Sequence, residues 1–232
     1  MKQWKIFPPF RDRALDIAIH ILENEGLTIL SSPDPEATHL LLPAPSPDPG
    51  QLLEQMPNAV LIGGNLNISD RPVIDLLRDE FYVAENAMIT AHCALKLAMA
   101  RLDRILPQCR CLVIGWGRIA KCLSRLLHSL GCPVTVAARK EADRAITAAL
   151  GLDVTDIAHI CPQEYDIIFN TAPAMVLPEC AGNALKIDLA SQLGIGGSDV
   201  LWARGLPRKE MPESAGKLIA RTVLRLLEKE GS

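Results

Sequence analysis

The chain has 232 residues, of which 49% are hydrophobic, 22% charged and 4% aromatic, and its formal net charge is −3. This composition excludes intrinsic disorder and collagen-like repeats, and the near-zero charge argues against a dedicated nucleic-acid binder. No apolar run reaches the roughly 20 residues that a membrane-spanning helix needs, and the first residues do not read as a signal peptide. We therefore expect a soluble cytoplasmic protein without membrane association. The length suits two domains better than one, because domains usually have about 100–150 residues.

The first 85 residues are predicted to form an α/β domain that serves as a substrate or lid domain. Apolar residues at helical spacing predict a helix over 12–25, and a proline series over 43–49 predicts a stiff surface loop. The remaining predicted elements are strands over 27–30, 38–42, 59–62 and 80–83, and helices over 52–56 and 70–79.

A long helix over residues 86–106 is predicted to connect this domain to a second one, over residues 107–207. There, strands over 111–114, 134–138, 166–169, 185–189 and 201–203 alternate with helical segments, which predicts a parallel sheet with right-handed crossovers. The last segment, 208–232, carries an apolar helical stripe. We expect this helix to pack back on the N-terminal domain, with a dimer interface as the alternative, and we expect a homo-oligomer.

The run Gly115-Trp116-Gly117-Arg118-Ile119-Ala120 follows a buried-type strand and opens an amphipathic helix. This is the context in which Gly-x-Gly-x-x-Ala indicates dinucleotide binding. Gly115 allows the tight turn, Gly117 lets a pyrophosphate approach the backbone, and Ala120 allows close helix–strand packing. Free amides and the dipole of the helix N-terminus would bind the phosphates. The second domain is therefore predicted to be a Rossmann-type NAD(P)-binding domain, and the fold class to be α/β with this domain, a smaller N-terminal α/β domain and a long connecting helix.

The end of the second strand carries Arg139 and Lys140 instead of an acid. Two cations suit a 2′-phosphate, so we predict NADP over NAD; alternatively, Arg139 stacks on the adenine and the site accepts either. Further polar residues at strand ends are predicted to face the cofactor, although each could instead be a capping or turn residue. These residues are Asn170, Thr171, Ala172, Asp188 and Ser191.

Substrate and catalytic residues are predicted from chemistry alone. His92 has a side chain suited to proton removal near neutral pH, and Thr90 precedes it on the same predicted helix. An anionic substrate would need cations or amide donors, for which the candidates are Arg13, Asn86, Arg204 and Lys209, with Arg208 beside them.

Seven scattered cysteines without a C-x-x-C pair predict reduced, mostly buried thiols, and the five histidines show no metal-ligand spacing. No metal site is therefore expected. The cysteines are Cys93, Cys109, Cys111, Cys122, Cys132, Cys161 and Cys180.

Six segments together resemble the family of bacterial dipicolinate synthase A subunits. The most specific are Asp188-Leu189-Ala190-Ser191 and the following Gly205-Leu206-Pro207; the others are 86–91, 113–118, 134–139 and 165–171. The resemblance covers 86–232 well and the first domain loosely. It implies an NADP-dependent oxidation of a cyclic dihydrodipicolinate-type dicarboxylate by hydride transfer, a role in sporulation, and a partner, the flavoprotein-like B subunit.

The chain departs from the family pattern at His92-Cys93, Arg208 and Glu213. These departures leave open a non-catalytic NAD(P)-binding regulatory or assembly subunit. A 2-hydroxyacid dehydrogenase is a further alternative, but such enzymes need a histidine late in the cofactor domain. The last histidine of this chain is His159.

Overall fold

The computed structural model describes residues 4–179 and 182–231, and these form two compact units. Unit 1 contains the chain up to Asn86 together with the chain from Pro207 onward, and unit 2 contains Ala87–Leu206. Each unit is built on a parallel sheet flanked by helices, which confirms the predicted α/β fold class with a Rossmann-type sheet.

The secondary-structure elements alternate along the chain. The strands are β1 (Lys5–Phe7), β2 (Thr28–Ile29), β3 (His39–Leu41), β4 (Val60–Gly63), β5 (Val73–Asp75), β6 (Cys111–Ile114), β7 (Val134–Ala137), β8 (Asp153–Thr155), β9 (Ile167–Asn170), β10 (Leu185–Asp188) and β11 (Leu201–Trp202). The helices are α1 (Arg13–Asn24), α2 (Leu52–Gln55), α3 (Glu80–Met99), α4 (Arg118–Ser129), α5 (Glu141–Ala149), α6 (Leu206–Glu210) and α7 (Pro212–Gly231).

Unit 1 has a five-stranded parallel sheet in the order β2-β1-β3-β4-β5. Asp12 caps α1 by accepting a hydrogen bond from the Leu15 N–H at 2.9 Å. The last helix, α7, packs against α1, and Gly216 permits this close approach because a Cβ there would lie 2.4 Å from the Ala14 carbonyl oxygen. The segment from Pro207 onward is therefore an integral part of unit 1.

Unit 2 has a six-stranded parallel sheet in the order β11-β10-β9-β6-β7-β8. The first strand, β6, is central and fully buried, as its sequence Cys-Leu-Val-Ile predicts. Ile114 of β6 lies opposite Asn170 of β9 and opposite Ala137 of β7. The strand order reverses between β6 and β9, and in open parallel sheets ligands bind at the carboxyl ends of the strands at such a switch point.

Two predicted elements in unit 1 are wrong. Residues 70–79 are not a helix, because the β-branched pair Val73-Ile74 pairs with β4 as strand β5 and a 3₁₀ turn follows at Leu76–Arg78. Residues 80–83 are not a strand but the first turn of α3. The Asp79 carboxylate accepts a hydrogen bond from the Tyr82 N–H at 2.8 Å, which is a helix-capping contact that hydropathy alone does not reveal.

The long helix predicted over 86–106 is therefore displaced, since α3 runs from Glu80 to Met99. Its first residues belong to unit 1 and the rest to unit 2. Short elements that the sequence pattern did not predict are β1, β8 and α6, each of five residues or fewer.

The described cysteines are free thiols, and four of them, Cys93, Cys109, Cys111 and Cys132, are buried. Burial raises the pKa of Cys111, and the nearby Cys132 and Cys109 raise it further. Cys180 lies outside the described residues. Over 4–179 and 182–231, no cluster of ligating side chains suits a metal ion and no helix has the length and apolar character to cross a membrane.

Candidate functional site

The turn after β6 requires glycine at position 115. Gly115 has φ +103°, a conformation that other residues rarely adopt. A Cβ at this position would also lie 2.5 Å from Oγ1 of Thr171, at the end of the neighbouring strand β9. Thr171 is held there because its hydroxyl and its N–H donate to the Ile114 carbonyl at 2.8 and 2.9 Å. Gly115 and Thr171 thus meet directly at the switch point.

The next glycine of the motif leaves an open space. Gly117 is the N-cap residue of α4, it is exposed, and no atom lies within 4 Å of the position that a Cβ would occupy. Its backbone is extended (φ −78°, ψ −173°), and it provides no side-chain cap. The first N–H groups of a helix have no partner within the helix, so the uncapped start of α4 offers amide donors to an anion.

The helix behind this turn is fixed to the sheet by small and aliphatic residues. Ala120, Leu123 and Leu127 of α4 are buried, as the motif predicts for Ala120. Arg118 is exposed, Ile119 is half-buried, and the half-buried Trp116 has the Lys121 ammonium 5.8 Å from its ring centre. The glycine turn is thus held against the sheet through the buried residues of α4, while Gly117 faces open space.

Arg139 and Lys140 follow β7 and are both exposed, with Lys140 at the N-cap of α5. The Arg144 guanidinium positions this segment by donating to the carbonyls of Ala138 and Arg139, at 2.7 and 2.9 Å. Arg144 also donates to the Asp156 carboxylate at 2.6 Å.

The hydrogen bond from the Ala158 N–H lowers the pKa of Asp156, and the Arg144 charge adds to this. The acid that follows β8 is therefore ion-paired. The sequence analysis did not predict the Arg144–Asp156 ion pair. It could have been suspected because Arg144 follows β7 and Asp156 follows the neighbouring strand β8.

Asn170 and Asp188 end the neighbouring strands β9 and β10 and hydrogen-bond to each other. Both side chains are fully buried, and Asn170 donates to Asp188 at 3.0 Å and to the Ala172 carbonyl at 3.1 Å. Asp188 also accepts hydrogen bonds from the N–H groups of Ala190, Gly194 and Ile195, at 2.7–3.1 Å. These are hydrogen bonds of the capping and turn type, and a direct contact of either residue with a cofactor stays a prediction.

This buried pair fixes the loops that follow β9 and β10. The Ala172 N–H donates to the Asn170 side-chain oxygen at 3.0 Å, which orients the segment containing Thr171. A Cβ on Gly194 would lie 2.4 Å from the Asn170 amide nitrogen, so glycine is required there. Thr171 and Ala172 are half-buried and Ser191 is exposed, so these three remain accessible.

The predicted substrate and catalytic residues are divided between the two units. In unit 2, Thr90 is buried and His92 is exposed on α3, so they do not share one face, and the Arg204 guanidinium lies over the Trp202 ring at 5.3 Å. In unit 1, Asn86 is half-buried on α3.

The remaining cation candidates also belong to unit 1. Arg13 is exposed at the start of α1, and Lys209 is exposed on α6. Arg208 forms an ion pair with Asp12 and is therefore less available than Arg13.

The central glycine turn and the strand order define the class of protein. A six-stranded parallel sheet of this order, with Gly-x-Gly-x-x-Ala at its switch point, is the Rossmann fold of NAD(P)-binding oxidoreductases. Unit 2 thus has the fold and the glycine turn of a dinucleotide-binding Rossmann domain.

Comparisons with known sequences and solved structures identify proteins that this chain resembles. No family model matches the chain. It is 28% identical to the dipicolinate synthase A subunit of Bacillus subtilis (strain 168) in an alignment 174 positions long that covers 68% of this chain and 58% of that protein. The solved structure of the dipicolinate synthase A subunit from Bacillus halodurans matches with a TM-score of 0.81 at 22% identity, over 97% of each chain. A transhydrogenase from Sinorhizobium meliloti matches with a TM-score of 0.70 at 15% identity, over 97% of this chain and 94% of that one.

The chain is therefore similar to the dipicolinate synthase A subunit in sequence and in fold, which confirms the resemblance that the motifs indicate. The match spans 58% of the length of the curated relative.

Proposed function

We propose that this protein is an NADP-preferring oxidoreductase that oxidises a cyclic dihydrodipicolinate-type dicarboxylate in the cytoplasm of sporulating cells, together with a B-type flavoprotein subunit. The observation that carries the proposal is the open, uncapped start of α4 at Gly117, beside the Gly115–Thr171 contact. The similarity to the dipicolinate synthase A subunit supports the substrate class and the partner.

The residues of the glycine turn fit a dinucleotide. The amides that follow Gly117 would bind its pyrophosphate, and Thr171 and Ala172 would lie beside it at the switch point. A bound nicotinamide supplies the acceptor for a hydride. The chain's own residues bind and orient the reactants and move the proton.

The preference for NADP rests on Arg139 and Lys140. Neither residue forms an ion pair with another described residue, and both are exposed at the strand end where an adenosine ribose binds in this fold. The neighbouring acid Asp156 is neutralised by Arg144, so it competes less for a ribose hydroxyl. A 2′-phosphate would pair with these two free cations.

Aromatisation of a dihydropyridine dicarboxylate removes two electrons and two protons, as one hydride and one proton. His92 is the proposed base for the proton, because it is an exposed imidazole on α3, and Thr90 precedes it. Arg13, Arg204 and Lys209 are the proposed carboxylate partners because they are exposed cations, and Asn86 could donate an amide hydrogen bond.

Calorimetric titration with NADP and NAD tests the cofactor assignment. We expect NADP to bind more tightly, and Arg139→Ala and Lys140→Ala each to weaken NADP binding by about 10–150-fold, because one hydrogen bond to a charged group contributes about 1.5–3 kcal/mol. NAD affinity should change little. Arg101→Ala, an exposed arginine of the same unit, is the control. Tighter binding of NAD by the unaltered protein would overturn the preference.

Nicotinamide absorbance during incubation with NADP and the cyclic dicarboxylate, with and without the B-type subunit, tests the reaction. His92→Ala should slow turnover and leave NADP affinity unchanged. Full activity of this variant would remove His92 from the mechanism. Intact NADP binding with no reduction under either condition would favour the second candidate, a nucleotide-binding regulatory or assembly subunit.

One observation favours that second candidate. The departure from the family pattern at His92-Cys93 puts an exposed imidazole next to a buried thiol, and the buried Thr90 is the other proposed catalytic residue. A 2-hydroxyacid dehydrogenase is less well supported. His159 follows the edge strand β8, whereas Asp188 ends β10, with three strands between them.

A further inference from the structure

A groove runs between α4 and α5 in unit 2, with a volume of about 590 Å³. One wall is a basic stripe of α4, formed by Lys121, Arg125 and His128. The other wall is the apolar face of α5, formed by Ile146 and Leu150. We call this feature the α4/α5 groove; the proposal made for it does not depend on the proposed function.

The apolar wall is exposed. Ile146 and Leu150 have 58% and 63% of their surface accessible, and they lie one helical turn apart, so they form a continuous patch. An apolar patch rimmed by charged residues is a feature that interaction surfaces share.

The charges of the two helices are complementary to each other. Lys121, Arg125 and His128 form no ion pair with any other residue that the structure describes. The first turn of α5 is acidic, with Glu141 and Asp143. Lys121 to His128 and Asp143 to Leu150 each span about 10 Å of helix, at 1.5 Å per residue.

The topology sets how a second copy could use this surface. Both helices connect neighbouring parallel strands, β6 to β7 and β7 to β8, by right-handed crossovers, so they lie on one face of the sheet and run in the same direction. A two-fold axis across the groove would reverse the α5 of the second copy. Its acidic start would then lie near Arg125 and His128, and its Ile146 and Leu150 would cover the same residues of the first copy.

We propose that the α4/α5 groove is a homodimer interface in which α5 of one copy lies in the groove of the other. The arrangement is isologous, because the acidic–apolar helix and the basic–apolar groove occur on the same surface and complement themselves. One helix and one groove per copy make a small interface, so we expect a weak dimer that high salt dissociates further.

Sedimentation equilibrium over about 1 μM to 1 mM protein tests the proposal, since dissociation constants in this range correspond to about 4–8 kcal/mol. The unaltered protein should dimerise, and Leu150→Glu should make it monomeric. Ile105→Glu is the matched control, because Ile105 is also 63% exposed in unit 2 but lies outside the groove. Circular dichroism checks that each variant is folded.

A charge exchange then distinguishes a second copy from any other occupant. Arg125→Glu and Asp143→Arg, both at residues that line the groove, should each weaken the dimer at least about tenfold, and the double variant should regain most of the affinity, because the reversed charges again face each other. A monomeric unaltered protein, a dimer insensitive to Leu150→Glu, or a double variant weaker than both single ones would overturn the proposal. A monomer would leave the groove to a different partner.

Discussion

The first helices of the two units begin in opposite ways, although each follows a parallel strand at the position where the strand order reverses. In unit 1, Asp12 caps α1 through the Leu15 N–H and is itself paired with Arg208. In unit 2, α4 starts at Gly117, which provides no side-chain cap. The chain's own side chain thus satisfies one helix start, and the other is left available to a ligand.

The glycines after the strands show the same contrast. Gly64, after β4 of unit 1, has the Ala44 Cβ 2.7 Å and the Leu77 side chain 2.9 Å from the position that its own Cβ would take. The same position at Gly117 has no atom within 4 Å. A glycine after a parallel strand can therefore serve internal packing or ligand approach, and only the surrounding atoms distinguish the two.

The largest expected effect comes from giving α4 the same N-cap residue as α1, an aspartate. Gly117→Asp should lower dinucleotide affinity by at least about 100-fold, because a capping carboxylate would occupy the amides and repel phosphate. The extended backbone at Gly117 accepts any residue, so the free energy of unfolding should stay equal or rise by a few tenths of a kcal/mol.

Calorimetric titration and urea unfolding measure the two quantities. Gly117→Ala, which adds no carboxylate, is the control and should lose less affinity. Unchanged affinity in Gly117→Asp would show that the start of α4 is not where the dinucleotide binds.

In unit 1, a substitution at the corresponding glycine should change stability and not dinucleotide affinity. Gly64→Ala should lower the free energy of unfolding by about 1–3 kcal/mol, because the added methyl group overlaps two packed side chains, and should leave dinucleotide affinity unchanged. Urea unfolding of this variant beside Gly117→Ala compares the same substitution at a filled and an open position. Equal stability of the two variants would contradict the contrast.

Removal of the α1 cap should have an intermediate effect. Asp12→Ala should lower the free energy of unfolding by about 1–2 kcal/mol, since it removes both the cap and the partner of Arg208. Asp16→Ala is the control, because it breaks only the exposed Arg11–Asp16 pair and should cost below about 1 kcal/mol. Thermal unfolding of both variants measures the difference, and equal shifts would rule out the capping role.

The smallest effect concerns His39, which is buried in unit 1 with its Nδ1 2.9 Å from the Thr38 hydroxyl and its Nε2 3.4 Å from Glu230. Burial lowers the pKa of His39 below its usual 6.5, and the opposing effect of Glu230 is smaller. Its contribution to stability is therefore fully present above pH 6.5 and is lost as the pH falls through the lowered pKa of the folded state.

Urea unfolding above and below pH 6.5, for the unaltered protein and for His39→Gln, isolates the contribution of His39 to stability. The variant should show a shallower fall in stability on acidification. An equal fall in both proteins would mean that carboxylates alone cause it.

Elements with a strong pattern could be predicted from the sequence, and elements set by local hydrogen bonds could not. The buried strand Cys111–Ile114 follows from its continuous apolar run, and the turn after it follows from the spacing of Gly115, Gly117 and Ala120. The start of α3 was misplaced because the Asp79 cap, and not hydropathy, decides it. Asn170 and Asp188 lie at strand ends, as predicted, but the sequence does not show that they are buried and that Asn170 donates a hydrogen bond to Asp188.

The return of the last helix to unit 1 has a consequence for biosynthesis. Because α7 covers α1, the N-terminal sheet cannot complete its core until the ribosome has also made every residue of unit 2. Unit 2 is continuous in sequence, so it can fold first, since domains generally fold as units during synthesis. The nascent N-terminal segment would meanwhile expose the face of α1 that Gly216 later contacts.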